Sequence, residues 1–403
     1  MPPSTDPAGA ELLGLLLAGI ERELPRAIEL RHALHAEPEL AHAEERTAAR
    51  VASELPLACE PVSGTARLAL VTSGEERTGA VAVRAELDAL PIRERTGAPF
   101  AATGETMHAC GHDVHMAALV ALVRAAHELR ASLPAPLLAV FQPSEEAYPS
   151  GAQQLAEGPL ASFAPAAVVA AHVHPEIAWG SVALDPGTVN ASCDAVEITL
   201  EGEPSHGAYA HQGRDPILAI AELVVALHGL VGRRIDPLHP ASLTVGVLEG
   251  GSAENVIPAR ARARVALRAY RHQDRLALRT LVGEAANGVA AAHGCRARVE
   301  LAAGEPALVN DAHIVARARS LLARAGFAGA PEWRSCGSDD FAFLGALAPS
   351  AMAFVGLDGV EGFVVRPLHH PELLVPDAAV SAVAGTLAAL YLAAASGPSD
   401  DPG

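Results

Sequence analysis

The sequence predicts an α/β fold with a mainly parallel central sheet, interrupted by a smaller α+β domain. Three observations predict it. Nearly continuous apolar runs at Ala80–Arg84, Leu137–Phe141 and Ala167–Val173 alternate with a helix-period stretch at Val114–Leu129. Strands without polar alternation, separated by helices, are those of a parallel sheet covered on both faces. The pattern then changes after Asp185-Pro186-Gly187, and the first pattern resumes beyond Gly304.

In chain order, the N-terminal region around Ala10–Leu55 reads as helical, and the ends Met1–Ala8 and Gly397–Gly403 read as frayed, being rich in Pro, Gly, Ser and Asp. After Gly187 the expected elements are strand Ala195–Leu200, helix Pro216–Val231, strands Ser242–Leu248 and Arg260–Ala269, helix Asp274–His293 and strand Arg296–Leu301. That β-α-β-β-α-β order is the split βαβ, ferredoxin-like unit. Helix Ala312–Ala325, strand Ala351–Val355 and a last helix complete the first pattern. The expected domains are 1–188 and 304–403, forming one catalytic body, with 189–303 inserted between its halves.

Composition narrows the function. The chain has 403 residues, enough for two cores, and only 8 Phe, 4 Tyr and 2 Trp, so small aliphatics must fill them. A net charge of −18 excludes a phosphate-binding surface, and no nucleic-acid partner is expected. All 29 basic residues are Arg, which removes lysine Schiff-base chemistry. Five scattered cysteines (Cys59, Cys110, Cys193, Cys295, Cys336) give no disulfide framework and point to a reducing cytoplasm. The apolar stretch Leu12–Ile20 is flanked by Glu11 and Glu21 and does not read as a signal peptide. Ala378–Ala395 carries no charge over 18 residues, yet it is Ala-rich and follows the helix-start pair Pro376-Asp377. A buried C-terminal helix is expected there, and no membrane partner.

The chemistry concentrates in a few residues. Cys110-Gly111-His112-Asp113 stands 35 residues ahead of Glu145-Glu146, and His172 and His369 follow near strand ends. Thiolate, neutral imidazole and carboxylate together suit zinc or a similar divalent ion. Paired glutamates suit a divided task, one holding metal and the other moving the proton of a water. Each motif alone is common: Glu-Glu as a solvated surface pair, Cys-x-His as packing. Their shared position at the carboxyl edge of one sheet points to a two-metal hydrolase. A Cys110–His112 nucleophile is the competing chemistry, and it leaves Glu145, Glu146, His172 and His369 without a task.

Seven stretches carry a resemblance. They are Arg31-His-Ala-Leu-His-Ala-Glu-Pro-Glu-Leu40, Arg84-Ala-Glu-Leu-Asp-Ala-Leu-Pro91, Met107-His-Ala-Cys-Gly-His-Asp113, Gln142-Pro-Ser-Glu-Glu146, Gly251-Ser-Ala-Glu-Asn-Val-Ile-Pro258, Gly337-Ser-Asp-Asp-Phe341 and Leu368-His-His-Pro371. In this order they resemble the aminoacylase-type metallopeptidases. The nearer likeness is to the branch of hippurate hydrolases, N-acyl-amino-acid amidohydrolases and indole-acetyl-amino-acid hydrolases.

The resemblance implies a zinc-peptidase-like catalytic domain with an inserted lid or dimerisation domain. It implies two divalent ions per subunit, zinc or manganese first, cobalt or nickel as alternatives. Their ligands would be Cys110 (a bridging thiolate), His112, Glu146, His172 and His369. Glu145 would be the general base toward a metal-bound water, and Asp88 and Asp113 would stand behind the ligands. His206 would meet the oxyanion in a partner subunit's site, while Asn255 and Arg268 would hold a substrate carboxylate. The implied reaction is hydrolysis of an N-acyl-L-amino acid by a cytoplasmic homodimer. A dipeptidase or carboxypeptidase, and a catalytically silent binder of acylated amino acids, are the alternatives.

Strand spacing favours His172 over His174, and the resemblance agrees. His369 is favoured over His370 because the family ligand follows the Leu. His108, His115, His174, His211 and His370 read as packing, supporting or surface residues. The chain departs from the family at Glu86 (usually Asp), Ala210 (often Pro) and Cys336 (often Met). It also has Ala147-Tyr148-Pro149-Ser150-Gly151 in place of a glycine-rich turn, so Tyr148 and Pro149 are expected to stiffen one wall beside the metals.

Overall fold

A computed structural model describes residues 7–74 and 77–396, so most of the termini read as frayed lie outside the described residues. In chain order it has α1 (Pro7–Ala36), α2 (Glu45–Glu54), β1 (Glu60–Pro61), β2 (Arg67–Val71), β3 (Val81–Glu86), α3 (His112–Glu128), β4 (Leu137–Gln142), α4 (Gly151–Glu157), β5 (Ala167–Ala178), β6 (Ser181–Ala183) and β7 (Gly187–Asn190). There follow β8 (Ser192–Glu201), β9 (Ser205–His206), α5 (Pro216–Arg234), β10 (Ala241–Gly250), β11 (Val256–Ile257), β12 (Arg260–Ala269), α6 (His272–Ala292) and β13 (Arg296–Ala303). The last are β14 (Leu308–Asn310), α7 (Ala312–Arg324), β15 (Ala328–Gly329), β16 (Ser350–Asp358) and α8 (Ala378–Ala395).

Two compact units result. The first comprises 1–187, 309–333 and 340–403, and the second 188–308 and 334–339. The sequence boundaries assigned all of 304–403 to the first body. Arg334–Asp339 instead joins the second, because the Ala191 amide donates to the carbonyls of Ser335 and Gly337, both at 3.1 Å.

The first unit is built on an eight-stranded sheet in the order β1-β2-β4-β3-β5-β16-β6-β15. Its centre, β4-β3-β5-β16, is parallel throughout, and every residue of β3 and β4 is buried. Helices α1, α3 and α8 share the sheet's core, and α3 buries 14 of its 17 residues, which explains its lack of a polar face. Among the described residues, two helices, α5 and α8, are long and apolar enough to cross a membrane. Helix α8 is a core helix of this unit, as its Ala-rich composition led us to expect.

Two local differences from the sequence reading bear on the site. Helix α3 begins at His112, not near Val114, because Gly111 takes φ +84° and turns the chain directly into it. A Cβ at Gly111 would also stand 2.6 Å from Val173 Cγ2. Strand β5 runs on to Ala178, so His172 lies inside the strand, paired in register with Phe354 of β16. Pro175 costs no ladder bond where the pairing is already irregular.

Behind the amino end of α3 lies a buried polar cluster. Arg31 donates to Asp113 (2.8 Å), Asp377 (2.8 Å) and the Val375 carbonyl (2.8 Å). His35 sits between Asp113 (2.8 Å) and Glu94 (3.1 Å). Burial opposes charge on His35, but Asp113 and Glu94 outweigh it and hold its pKa at about 9. Asp113 is held well below the carboxylate range: burial opposes this, and Arg31 and His35 prevail. An unfolded histidine titrates near 6.5, so the stability that His35 contributes is complete below that pH and is lost as pH rises toward 9. Thermal unfolding of metal-free protein is expected to show a loss of about 3 kcal/mol between pH 6.5 and 9. His35→Gln should flatten that slope; an unchanged slope would sink the assignment.

The second unit has a four-stranded antiparallel sheet, β10-β12-β8-β13, with α5 and α6 packed on one face. The alternating burial of β8 and β12 is that of a sheet with one covered face. The order is that of the ferredoxin-like unit expected from the pattern. Asp194, buried at the start of β8, accepts forked hydrogen bonds from both Arg275 and Arg279 of α6. Burial of this carboxylate is outweighed by the two guanidinium groups, which bring its pKa down to about 2.

Candidate metal centre

The carboxyl ends of β3 and β4, the amino end of α3, strand β5 and the loop after β16 bring the donors together. Cys110 Sγ lies 3.4 Å from His172 Nε2. Ligand atoms of Cys110, Glu146 and His369 lie within 4.8 Å of one another, as do those of His112, Glu145 and Glu146. The two sets share Glu146. His369 reaches the group through a left-handed residue (φ +66°), its amide donating to the Ala109 carbonyl (2.9 Å) and its Nε2 lying 3.2 Å from Glu146 Oε1.

The histidine tautomers follow from their neighbours. His112 Nδ1 donates to the Asp88 carbonyl (2.8 Å) and His172 Nδ1 to that of Val173 (2.7 Å). Both Nε2 lone pairs are thereby left for a ligand, the usual arrangement behind a metal-bound imidazole. His115 differs, for Nδ1 donates to Glu86 (2.9 Å) and Nε2 accepts the Val173 amide (3.1 Å). With both nitrogens committed it braces β5 beside His172. His174 accepts the Glu176 amide and packs on Trp333 and Phe354, and His370 accepts the Glu372 amide. Neither joins the cluster. The Asp88 carboxylate accepts the Glu146 amide (2.9 Å), fixing that backbone, while Asp113 faces Arg31 and His35.

The electrostatics are those of a place short of positive charge. Burial, then the charges of Glu146, Glu145 and Glu86, push the Cys110 thiol well above its ordinary range. Burial also raises Asp88. For His112 burial opposes the imidazolium, but Glu86, Asp88 and Glu146 raise it nonetheless. His172 is pushed down by burial and by its neighbour His115, so it stays neutral. His112 Nε2 and Asp88 Oδ1 are buried without a hydrogen-bond partner, and Glu146 Oε1, equally buried, has only His369 Nε2 beside it at 3.2 Å. Buried acceptors crowded together in this way are costly unless a cation completes them, and the S/N/O set fits divalent metal.

Sequence reasoning missed the residues that hold this edge from behind. Arg84, buried on β3, donates to Gln142 Oε1 (2.8 Å), to Asp340 Oδ1 (2.8 Å) and to Glu86. Asp340 also accepts from Gln142, the Ser150 hydroxyl (2.7 Å) and the Ala152 amide. An Arg and a Glu inside an otherwise apolar strand were the available signal. Tyr148, expected to line the metal wall, is exposed.

In the second unit, β9 and β11 place His206 opposite Val256, and the Gly207 amide donates to the Asn255 carbonyl (2.7 Å). His206 is exposed, with Nδ1 accepting the Ala208 amide. Arg268, on the open face of β12, donates to the Cys336 carbonyl (2.8 Å). His206 and Asn255 are thus neighbours, and Arg268 stands on a different strand.

Residues 82–392 match the model of peptidase family M20/M25/M40, and the chain belongs to that family. An N-acetyl-L-cysteine deacetylase of Bacillus subtilis (strain 168) is 33% identical over 368 residues, 90% of this chain and 86% of the relative. An N-acetyldiaminopimelate deacetylase of Bacillus pumilus (strain SAFR-032) is 30% identical over 371 residues, 90% of this chain and 96% of the relative. The solved structure of the Bacillus subtilis YXEP protein, described as a dinuclear metal binding peptidase from the M20 family, is similar with a TM-score of 0.80 at 28% identity. It covers 92% of this chain and 98% of that one.

Proposed function

We propose that this metal-dependent hydrolase cleaves the amide bond of N-acyl-L-amino acids, releasing a carboxylic acid and a free amino acid. The observation that carries the reading is the convergence of buried ligand atoms beside Glu145, with His112 Nε2 left unsatisfied among them. Two divalent ions, zinc or manganese, held by Cys110, His112, Glu146, His172 and His369, would supply Lewis acidity toward the scissile carbonyl and toward water. Glu145 takes the proton of the attacking water and returns it to the leaving nitrogen as the C–N bond breaks. Asp88 holds the Glu146 backbone and turns His112 through its own carbonyl. The deacetylase relatives support a small acylated amino acid as substrate. In this reading His206 stabilises the oxyanion in the partner subunit of a homodimer formed through the inserted domain, and Asn255 and Arg268 receive the substrate carboxylate.

The test is amine release from N-acetyl, N-benzoyl and indole-acetyl amino acids and from dipeptides, after loading with zinc or manganese in turn. Chelator-sensitive release from the acylated amino acids is the expected result. Release from dipeptides alone would replace this reading by a peptidase, and silence with metal bound would leave a binder.

A further inference from the structure

Among the described residues, four non-glycine residues have left-handed φ: His42, Ser144, Ala164 and His369. Two of them, His42 (φ +67°) and Ser144 (φ +52°), face each other across a hydrogen bond. Ser144 directly precedes Glu145-Glu146. Its hydroxyl oxygen accepts the His42 amide (2.9 Å) and lies 2.9 Å from His42 Nδ1.

Holding this turn from the other side is Glu44, at 0% exposure. Its Oε1 accepts the Ser144 amide (2.9 Å) and lies 3.3 Å from the Ser144 hydroxyl, while Oε2 accepts the Thr65 hydroxyl (2.7 Å). Among the described residues no cation pairs with it. Glu44 occupies the N-cap of α2, yet its side chain makes no capping bond. A capping task alone would be met by Ser, Thr, Asp or Asn without burying a carboxylate. Backbone strain at such residues persists only where the surroundings over-determine it, and here the over-determining group is Glu44.

We propose that Glu44, with Ser144, is a positioning residue that sets the left-handed turn presenting Glu145 and Glu146. The carboxylate fixes the Ser144 amide, the chain leaves Ser144 in a direction that an unrestrained serine avoids, and the two glutamates follow. This inference rests on the proposed role of Glu145 as base and Glu146 as ligand.

The experiment compares Glu44→Gln, Ser144→Gly and the double variant with the parent, measuring kcat, KM, melting temperature and cobalt(II) titration by visible absorption. Glu44→Gln is expected to lower kcat by about 10- to 100-fold, the scale of a 1 Å misplacement, with KM within about twofold. Its cobalt titration should weaken or its spectrum should change, since Glu146 moves with the turn. Adding Ser144→Gly should restore most of kcat, because glycine adopts positive φ without cost. Parent-like kcat and cobalt titration in Glu44→Gln would overturn the proposal, as would a loss that Ser144→Gly leaves unrepaired. If Glu44→Gln does not fold, Ser144→Gly against Ser144→Ala decides: glycine must be the more active of the two, and equality overturns the inference. If the parent is silent toward every substrate, the proposed function has failed, and the cobalt titration alone decides on Glu44 in the same sense.

Discussion

Glutamine in place of Glu145 is expected to lower kcat by about 10²–10⁴-fold, the usual contribution of a positioned proton carrier, while leaving metal content unchanged. Glu145 lies with His112 and Glu146 in one group of candidate ligands, while the other group, Cys110, Glu146 and His369, forms without it. An amide keeps its shape and gives up only the ability to take a proton. Amine release measured beside metal content by elemental analysis separates the two tasks. Equal loss of metal and turnover would show that Glu145 is a ligand and not the base.

The second large effect is on stability. Arg84→Met is expected to destabilise the fold by about 3–5 kcal/mol, because it strands Glu86 and Asp340 as buried carboxylates without their shared cation. Burial works against ionisation of Glu86, and Arg84, then His115 and His112, hold it well below the ordinary range all the same. Removing Arg84 reverses that balance. The exposed pair Arg22–Glu128 is the control: its loss should cost under about 1 kcal/mol. Urea unfolding of both variants checks the contrast, and comparable costs would refute it.

The candidate metal donors were legible because their chemistry is unusual and their positions follow apolar strands. Cys110, His112, Glu146 and His172 could each be located against a strand or helix found by periodicity, and the structure brings them together. What was not legible depends on partners far apart in the chain. Arg84 and Asp340 are 256 residues apart, and nothing in either segment shows that one guanidinium holds both Gln142 and Asp340. Glu44 meets Ser144 across 100 residues and reads locally as an ordinary charge opening a helix. The commitment of both His115 nitrogens is likewise a three-dimensional fact, although its helix position beside His112 was plain. The extent of β5 escaped because the apolar run ends at Val173, whereas the pairing with β16 continues beyond it.

The interrupted course of the first unit has a consequence for biosynthesis. Cys110, His112, Glu146 and His172 emerge from the ribosome before the second unit, while His369 and helix α8 follow only after the whole of it has been made. At about 5–20 residues per second, the nascent chain carries a thiol and half-assembled imidazoles for about 10–40 s before the last donor arrives. The second unit can fold during that interval, having its own core. His369 is the last of these residues to be made, and α8, part of the apolar core of the first unit, follows it.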